Sequence, residues 1–519
     1  SSHRDFISKV SDSELTILIF LSLFFVFFLK TIFLIILYNL QYSFSSKVLE
    51  RISKDFFTKI VNQPYSVFFK KNTSKYLNTL SNESRVFIDQ CLEPLISVST
   101  EIIIFIFIIS FLIFIEPTGS LLIIGVLSVA ILLFYFFSKG KTRFWGVQRQ
   151  KHEEMLVKNI QETFQGIKEI KIFNIKNFIF KLFDKNLEES VIARKKINVL
   201  VQLPRVWLEI VAIFTLTLLI IVSILFNKEI QTIFPIIALY AAAAFRIIPS
   251  ANRMLIASQN LRYGFASVEK LCESFAEINE LDKKNKLSAG NESKIQNFKS
   301  LEFKNLSFSY EVPIKKIFNK VNFELNKGEC IGIVGETGSG KSTLVDIICG
   351  LLNPSGGEII INEKKVNQRQ INWNNLIGYV PQNYYLIDGT IKENIAFGVD
   401  KGNINLDYIF NSLNRSQLTR FIEGLDKGIE SQVGERGIKL SGGQKQRLAI
   451  ARALYFDPEI VIFDESTSAL DNETERNLIE TIKNLKGKKT LIIISHRVSS
   501  LNFCDKIYEV KDLDIRKVS

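Results

Sequence analysis

Long apolar runs alternate with long charged stretches along the first half of the chain, and the pattern changes near residue 300. A helix crossing a bilayer core needs about 20 apolar residues. Five runs approach or exceed that length: 15–40, interrupted by Lys30, then 96–115, 121–137, 206–226 and 233–251. The links 116–120 and 227–232 are short, with no Lys or Arg in the first and only Lys228 in the second. Segments 41–95 and 138–205 are long and basic. The first holds Lys47, Arg51, Lys54, Lys59, Lys70, Lys71, Lys75 and Arg85, and the second runs from Lys139 to Arg205. Basic loops stay on the cytoplasmic side, so both long segments are expected there. Parity then puts the start of the chain outside and predicts one more span ahead of it, six in all. Ser1 opens the chain without a signal-peptide pattern, which reads as a truncated start.

The long basic segments have helical periodicity, clearest over 153–183, and read as helices extending from the bilayer. Apolar-plus-basic patches at 64–80 and 170–183 mark the far points of the two excursions. They are either docking pieces or the tips of ordinary solvated hairpins. Residues 277–298 turn polar and charged and read as a linker. From Leu301 onward, short apolar strands alternate with helical patterns, as in an α/β domain. The expected architecture is an α-helical transmembrane bundle over 1–276, a linker, and an α/β P-loop domain over 299–519.

Composition fits this division. Of 519 residues, 47% are hydrophobic and 43 are Phe; the mean hydropathy of +0.16 is high for a chain without spans. The net charge of +12 raises nucleic acid as a partner, but the basic residues flank apolar runs, which favours membrane loops and no nucleic acid. Five scattered cysteines without C-x-x-C spacing argue for reduced thiols and against a disulfide framework or zinc.

Lys30, Arg205, Arg246 and Arg253 fall within or near the apolar runs. Lys30 is about 15 residues into its run, roughly 22 Å deep at 1.5 Å per residue, and Arg246 is similarly deep. Charges at that depth are costly and face a cavity or a partner. They either line a basic cavity for an anionic substrate, where Arg suits phosphate, or snorkel and pair with Glu101 or Glu209. Pro249 predicts a kink close by.

The α/β half carries its chemistry in a fixed order. Gly335, Glu336, Thr337, Gly338, Ser339, Gly340, Lys341, Ser342 and Thr343 form G-x-x-x-x-G-K-[ST] between an apolar strand and a helix. Glycines let backbone N–H groups close round a polyphosphate, and the helix N-terminus adds positive potential. Lys341 is placed to reach the β- and γ-phosphates, and the Ser342 hydroxyl to help hold Mg²⁺. Tyr310 ends a strand and can stack on a base or sit in the core. Gln382 follows the strand 377–380 and can serve Mg²⁺ or water. Ser441, Gly442, Gly443 and Gln444 open a helix, again offering phosphate donors. Asp464 and Glu465 end an apolar strand, suiting a metal ligand and a base for water. His496 ends another strand and can contact a γ-phosphate.

The series GETGSGKST, Gln382, LSGGQ, IVIFDE, SALD and Ser495-His496 resembles the ATP-binding cassette ATPases. With the apolar half, the chain resembles a type IV exporter half-transporter over nearly its whole length. Leu203-Pro204-Arg205 and 246–253 resemble segments of bacterial flippases for undecaprenyl-pyrophosphate-linked oligosaccharides. That resemblance implies ATP and Mg²⁺, with Tyr310 on adenine and 335–343 on the phosphates. It makes Gln382 and Asp464 metal partners, Glu465 the base and His496 the switch. It has 441–444 complete the site of a second copy in a homodimer. It implies an inner (plasma) membrane protein that moves a lipid-linked, anionic cargo among membrane lipids; drugs, peptides or other lipids are the alternative cargo. Two departures from the pattern stand at turns: Lys511-Asp512-Leu513 and Glu363 replace usual glycines.

Overall fold

The computed structural model describes residues 12–69, 73–225, 230–286, 293–295, 297–311, 314–366, 371–373, 375–465 and 472–518. The chain divides into two compact units. One comprises Ser1–Gln63 and Lys71–Asp282, the other Pro64–Lys70 and Lys283–Ser519.

Among the described residues, the elements of the first unit are helices: α1 (Asp12–Val61), α3 (Thr73–Ile115), α4 (Pro117–Gln165), α5 (Ile167–Ile172), α6 (Lys176–Leu225) and α7 (Ile230–Lys286). Among the described residues, four helices are long and apolar enough to cross a membrane; they lie in α1, α3, α4 and α6. The fifth expected run falls on α7, whose side chains at 231–236 are outside the described set. The helix runs unbroken through Pro249. The expected helical extensions are continuous with the spans, as in the 49 residues of α4.

Much of the apolar surface of these helices points outward, while Leu112, Leu127, Phe134, Leu208 and Ile247 pack against one another inside. No part of the apolar window of α1 is buried within the chain, and Phe24 is 69% exposed. A helix apolar all round, left uncovered, suits a hydrocarbon surround. Inside, the packing is polar at one level. Arg149 on α4 is 2% exposed and donates to Glu153 (2.7 Å), Glu83 on α3 (3.2 Å) and Ser267 on α7 (2.8 Å). Arg194 on α6 joins through its Nε to Glu153 at 3.0 Å. This four-helix ion network was not read from the sequence. Helix α3 has π-helical turns at Thr79–Glu83 and Ile88–Leu92 beside it. Such turns mark functional stretches of a helix.

The second unit has two main sheets. One contains β2 (Ile314–Asn326), β1 (Ser300–Glu311), β4 (Gly356–Ile361) and β5 (Lys364–Val366), in that order and all antiparallel. The other contains β10 (Asp514–Lys517), β9 (Lys506–Lys511), β3 (Cys330–Val334), β8 (Thr490–Ile494), β7 (Ile460–Asp464) and β6 (Ile377–Val380). All its pairs are parallel except β9 with β10. Strands β3, β7 and β8 are buried along their whole length, which is why they read as apolar runs without alternation. Helix α8 (Lys341–Ile348) packs on this sheet with Leu344, Val345, Ile347 and Ile348 in its core. Short helices α9 (Ile391–Ile395), α10 (Leu406–Arg415) and α11 (Thr419–Glu423) gather round α12 (Gly442–Leu454) in a separate cluster. The short helix α2 (Tyr65–Phe68) belongs to this unit, and the Phe69 ring meets Tyr310 edge-on at 6.4 Å.

The turns that lack their usual glycines have left-handed backbone: Glu363 has φ +64° and Leu513 has φ +63°. A side chain at such an angle costs about 1–2 kcal/mol. Because Leu513 is 41% exposed, little packing offsets that cost. Leu513→Gly and Glu363→Gly should each stabilise the second unit by about 0.5–1 kcal/mol after glycine's own entropy is counted. Chemical denaturation of the variants reads this; an unchanged or lower midpoint would show that the turns are unstrained.

Candidate functional site

Parallel register brings four strand ends to one edge. Val380 pairs with Phe463, Asp464 with Ile494, and Ile494 with Ile333. The next residues along these strands are Gln382, Asp464-Glu465, Ser495-His496 and the loop 335–343. Four stretches between residues 335 and 496 thus become neighbours for one reason, the alignment of the sheet.

Within the loop, Gly340 has φ +113°, and a Cβ there would lie 2.6 Å from Ile317. At Gly335 a Cβ would lie 2.5 Å from the Val510 carbonyl. Only glycine fits either place. Lys341 is 3% exposed and folds back over its own loop, donating to the Gly335 and Glu336 carbonyls at 2.9 Å each. The Ser339 N–H donates to the Glu336 carbonyl at 3.2 Å, closing the turn round Thr337 and Gly338. Ser342 is exposed at the start of α8. The Thr343 hydroxyl lies 3.1 Å from that of Tyr310, so the tyrosine ring stands beside the loop, edge-on to Phe308 at 5.0 Å.

Glu465 is where three of the strand ends meet. Its Oε2 accepts from Gln382 Nε2 at 2.7 Å, and its Oε1 lies 2.7 Å from His496 Nε2 and 3.6 Å from Lys341 Nζ. The residue has φ +44°, a backbone conformation that side chains seldom adopt. Strain of this kind persists only where the surroundings hold it, and it concentrates at functional sites.

Asp464 is 5% exposed. Its Oδ2 accepts from the Tyr379 hydroxyl at 3.0 Å, while Oδ1 is buried with no hydrogen-bond partner. Burial pushes its carboxyl above the usual range and the Glu465 charge adds to this, against the pull of Tyr379 and Lys341. A buried carboxylate oxygen with no partner is an expensive group and a fit for a cation.

Ser441 and Gln444 form a capping box at the start of α12. The Gln444 N–H donates to Ser441 Oγ (3.3 Å), and the Ser441 N–H donates to Gln444 Oε1 (2.8 Å). The Gly442 carbonyl accepts from Tyr384 at 3.2 Å, and Gly443 follows in the first turn. Among the described residues, no hydrogen bond or ion pair joins 441–444 to 335–343 of the same chain. The stretch 466–471, SALD included, lies outside the described residues.

The four basic residues of the membrane half divide. Arg253 pairs with Glu101 through two bonds, of 2.5 and 3.0 Å, and Ser250 donates to the same carboxylate. Arg205 donates to Glu209 at 3.1 Å. Arg246 is exposed, and the Lys30 ammonium lies 5.1 Å from the centre of the Phe27 ring. Pairing thus accounts for Arg205 and Arg253, the reading set against a cavity from the sequence.

Two further residues at the nucleotide edge went unread. Tyr379 holds Asp464, and only its place on a strand entering the site pointed there. Asp346 stands four residues beyond Ser342, on the same face of α8. Burial, and then the Asp464 charge, push its carboxyl up to about 6. The folded protein therefore keeps this proton over a range where the unfolded chain loses it. Stability falls as pH rises from the ordinary Asp value to about 6, and stays lower above. Asp346→Asn should thus raise the unfolding midpoint of nucleotide-free protein at about pH 7.5 and leave it unchanged near about pH 4. A gain independent of pH would contradict this.

Residues 318–468 match the ABC transporter model, and residues 3–246 match the ABC transporter transmembrane region. ABC transporter B family member 6 of Dictyostelium discoideum is 39% identical over 220 residues, 41% of this chain and 32% of that protein. The chain thus spans about a third of that relative's length. The ATP-dependent lipid A-core flippase of Francisella novicida is 28% identical over 480 residues, 90% of this chain and 78% of that protein. A solved bacterial Atm1-family ABC exporter with ATP bound shares the fold. Its TM-score is 0.76 at 19% identity, and the match covers 91% of this chain and 82% of that one. With a helical transmembrane region and an ABC ATPase α/β domain on one polypeptide, each matched by its own model, this chain belongs to the ABC transporter family.

Proposed function

We propose that the chain is one half of an ATP-driven exporter, acting as a homodimer in the inner (plasma) membrane and moving a lipid-linked, anionic cargo, such as a pyrophosphate-linked oligosaccharide, by alternating access. The observation that carries the ATPase part is the convergence of Gln382, His496 and Lys341 on Glu465. In this reading Tyr310 stacks the adenine and the loop 335–343 wraps the phosphates. Lys341 exchanges its own backbone carbonyls for phosphate oxygens. Glu465 takes the proton of the attacking water, Gln382 orients that water, and His496 meets the γ-phosphate. Mg²⁺ fits the unpartnered Asp464 Oδ1; Ser342, Gln382 and Asp464 would hold the ion, which would spread the phosphate charge.

The signature turn 441–444 has no bond to the loop of its own chain, which favours its use on a second copy's nucleotide. Backbone N–H groups at the start of α12 then face the γ-phosphate across the dimer. ATP binding closes two such domains, and hydrolysis releases them. Glu465→Gln should lower hydrolysis about 100-fold or more while nucleotide binding survives. It should also trap ATP in the closed dimer, so that bound nucleotide co-elutes with the protein in size-exclusion runs. Wild-type turnover in this variant would remove Glu465 from the role of base.

The cargo reading rests on Arg246, which is exposed and near enough for its charge to reach Glu101 without an ion pair at contact distance, and on an open apolar recess of about 410 Å³ lined by Leu133, Phe134, Phe137, Leu203, Trp207 and Ile210. A cation on the membrane half suits an anionic headgroup, and the apolar recess suits a hydrocarbon tail. In proteoliposomes, a fluorescent pyrophosphate-linked lipid should cross and stimulate the ATPase more than a neutral lipid does. Arg246→Ala with Lys30→Ala should abolish that difference. Equal transport of both lipids would favour a drug, peptide or neutral-lipid exporter.

A further inference from the structure

The five cysteines are all thiols, but two of them touch: Cys330 Sγ and Cys504 Sγ lie 3.5 Å apart. They are 174 residues apart in sequence, which is why spacing alone does not pair them. Cys330 begins β3, the strand that leads into the phosphate loop, and Cys504 lies just before β9, which runs beside it.

The backbones are already held together at this point. The Asp505 N–H donates to the Cys330 carbonyl at 2.7 Å, and the Cys330 N–H donates to Asp505 Oδ2 at 2.9 Å. A bond of about 2.05 Å therefore needs a small side-chain rotation rather than a strand movement. The two thiols differ in access. Cys330 is fully buried, whereas Cys504 is partly exposed. Lys486 lies over this turn, donating to the Phe503 carbonyl at 2.5 Å and pairing with Asp505 at 2.6 Å. The contact with Cys504, and then burial, keep Cys330 protonated.

We propose that Cys330 and Cys504 are a site of reversible oxidation, forming a disulfide inside the ATPase domain with a small-molecule disulfide as oxidant. The more accessible Cys504 sulfur loses its proton to solvent, attacks the reagent, forms a mixed disulfide and expels one reagent thiolate, which is protonated from solvent. The Cys330 sulfur then attacks Cys504 Sγ and expels the second reagent thiolate, which takes up the Cys330 proton. Two protein thiols are oxidised and one reagent disulfide is reduced to two thiols. The exposed thiol acts first and the buried one resolves. The bond pins β3 to the segment entering β9 until a reductant opens it.

The test treats full-length protein in membranes with bis(2-hydroxyethyl) disulfide, then maps its peptides by mass spectrometry. The expected product is one species linking the Cys330 and Cys504 peptides, separated by dithiothreitol. Cys272→Ser, which removes the exposed thiol, should leave that product intact. Cys504→Ser should abolish it. Cys330→Ala should stall Cys504 as the mixed disulfide, and ATP-analogue binding by both variants shows that they are folded. The proposal is overturned if Cys272 is fully modified while the Cys330 and Cys504 peptides stay separate in the wild-type protein, or if Cys504 links to another cysteine instead.

Discussion

Parallel alignment of β3, β6, β7 and β8 is the constraint on which the rest depends. Each strand brings one kind of group to the same edge: a glycine-shaped loop, a carboxamide, a pair of carboxylates and an imidazole. A register slip of one residue would turn every one of those side chains to the opposite face. The sheet is defended against such a slip by burial, since β3, β7 and β8 have no exposed face. The site is therefore as rigid as the core beneath it, and the left-handed backbone of Glu465 can be held there without relaxing.

Rigidity in the ATPase domain contrasts with the membrane half. Its helices present apolar side chains outward, where they gain nothing from one another in hydrocarbon, so specificity must come from inside. Within the apolar runs the cluster around Leu127, Leu208 and Ile247 supplies part of it, and beyond them the Arg149 network adds the rest. A guanidinium buried among Glu83, Glu153 and Ser267 ties three helices at one level, with Arg194 bringing in a fourth. Losing Arg149 would leave Glu83 buried without its ion-pair partner, a penalty of about 3–5 kcal/mol. The ordering of α3, α4, α6 and α7 is thus set by these polar contacts together with an apolar cluster to which all four helices contribute, through Leu112, Phe134, Leu208 and Ile247 among others.

Much of this was legible in the residues because the signals are local. Four of the five apolar runs lie in helices long and apolar enough to cross a membrane, and 335–343, 441–444 and Asp464-Glu465 stood out as motifs between strands and helices. Glu363 and Leu513 were legible as departures, and the structure finds the left-handed backbone that glycine would have eased. What stayed hidden depends on distance along the chain. Glu83 and Arg149 are 66 residues apart, and Cys330 and Cys504 are 174 apart; nothing in composition or period pairs them. Tyr379 and Asp346 are ordinary residues in ordinary elements until the fold sets them against Asp464. The basic residues illustrate the same limit. Depth alone suggested a cavity, whereas Glu101 and Glu209 show that two of those charges already have partners.

A nucleotide held between the phosphate loop of one copy and the 441–444 turn of another is the central claim, and subunit mixing tests it most directly. Lys341→Ala and Ser441→Arg proteins are each purified inactive, then co-reconstituted so that mixed dimers form. A head-to-tail arrangement leaves one of the two shared sites fully intact in every mixed dimer, so ATP hydrolysis should reappear on mixing. Activity that stays absent, in mixtures shown by pull-down to contain both variants in one dimer, would mean that each chain completes its own site, and the account would fail.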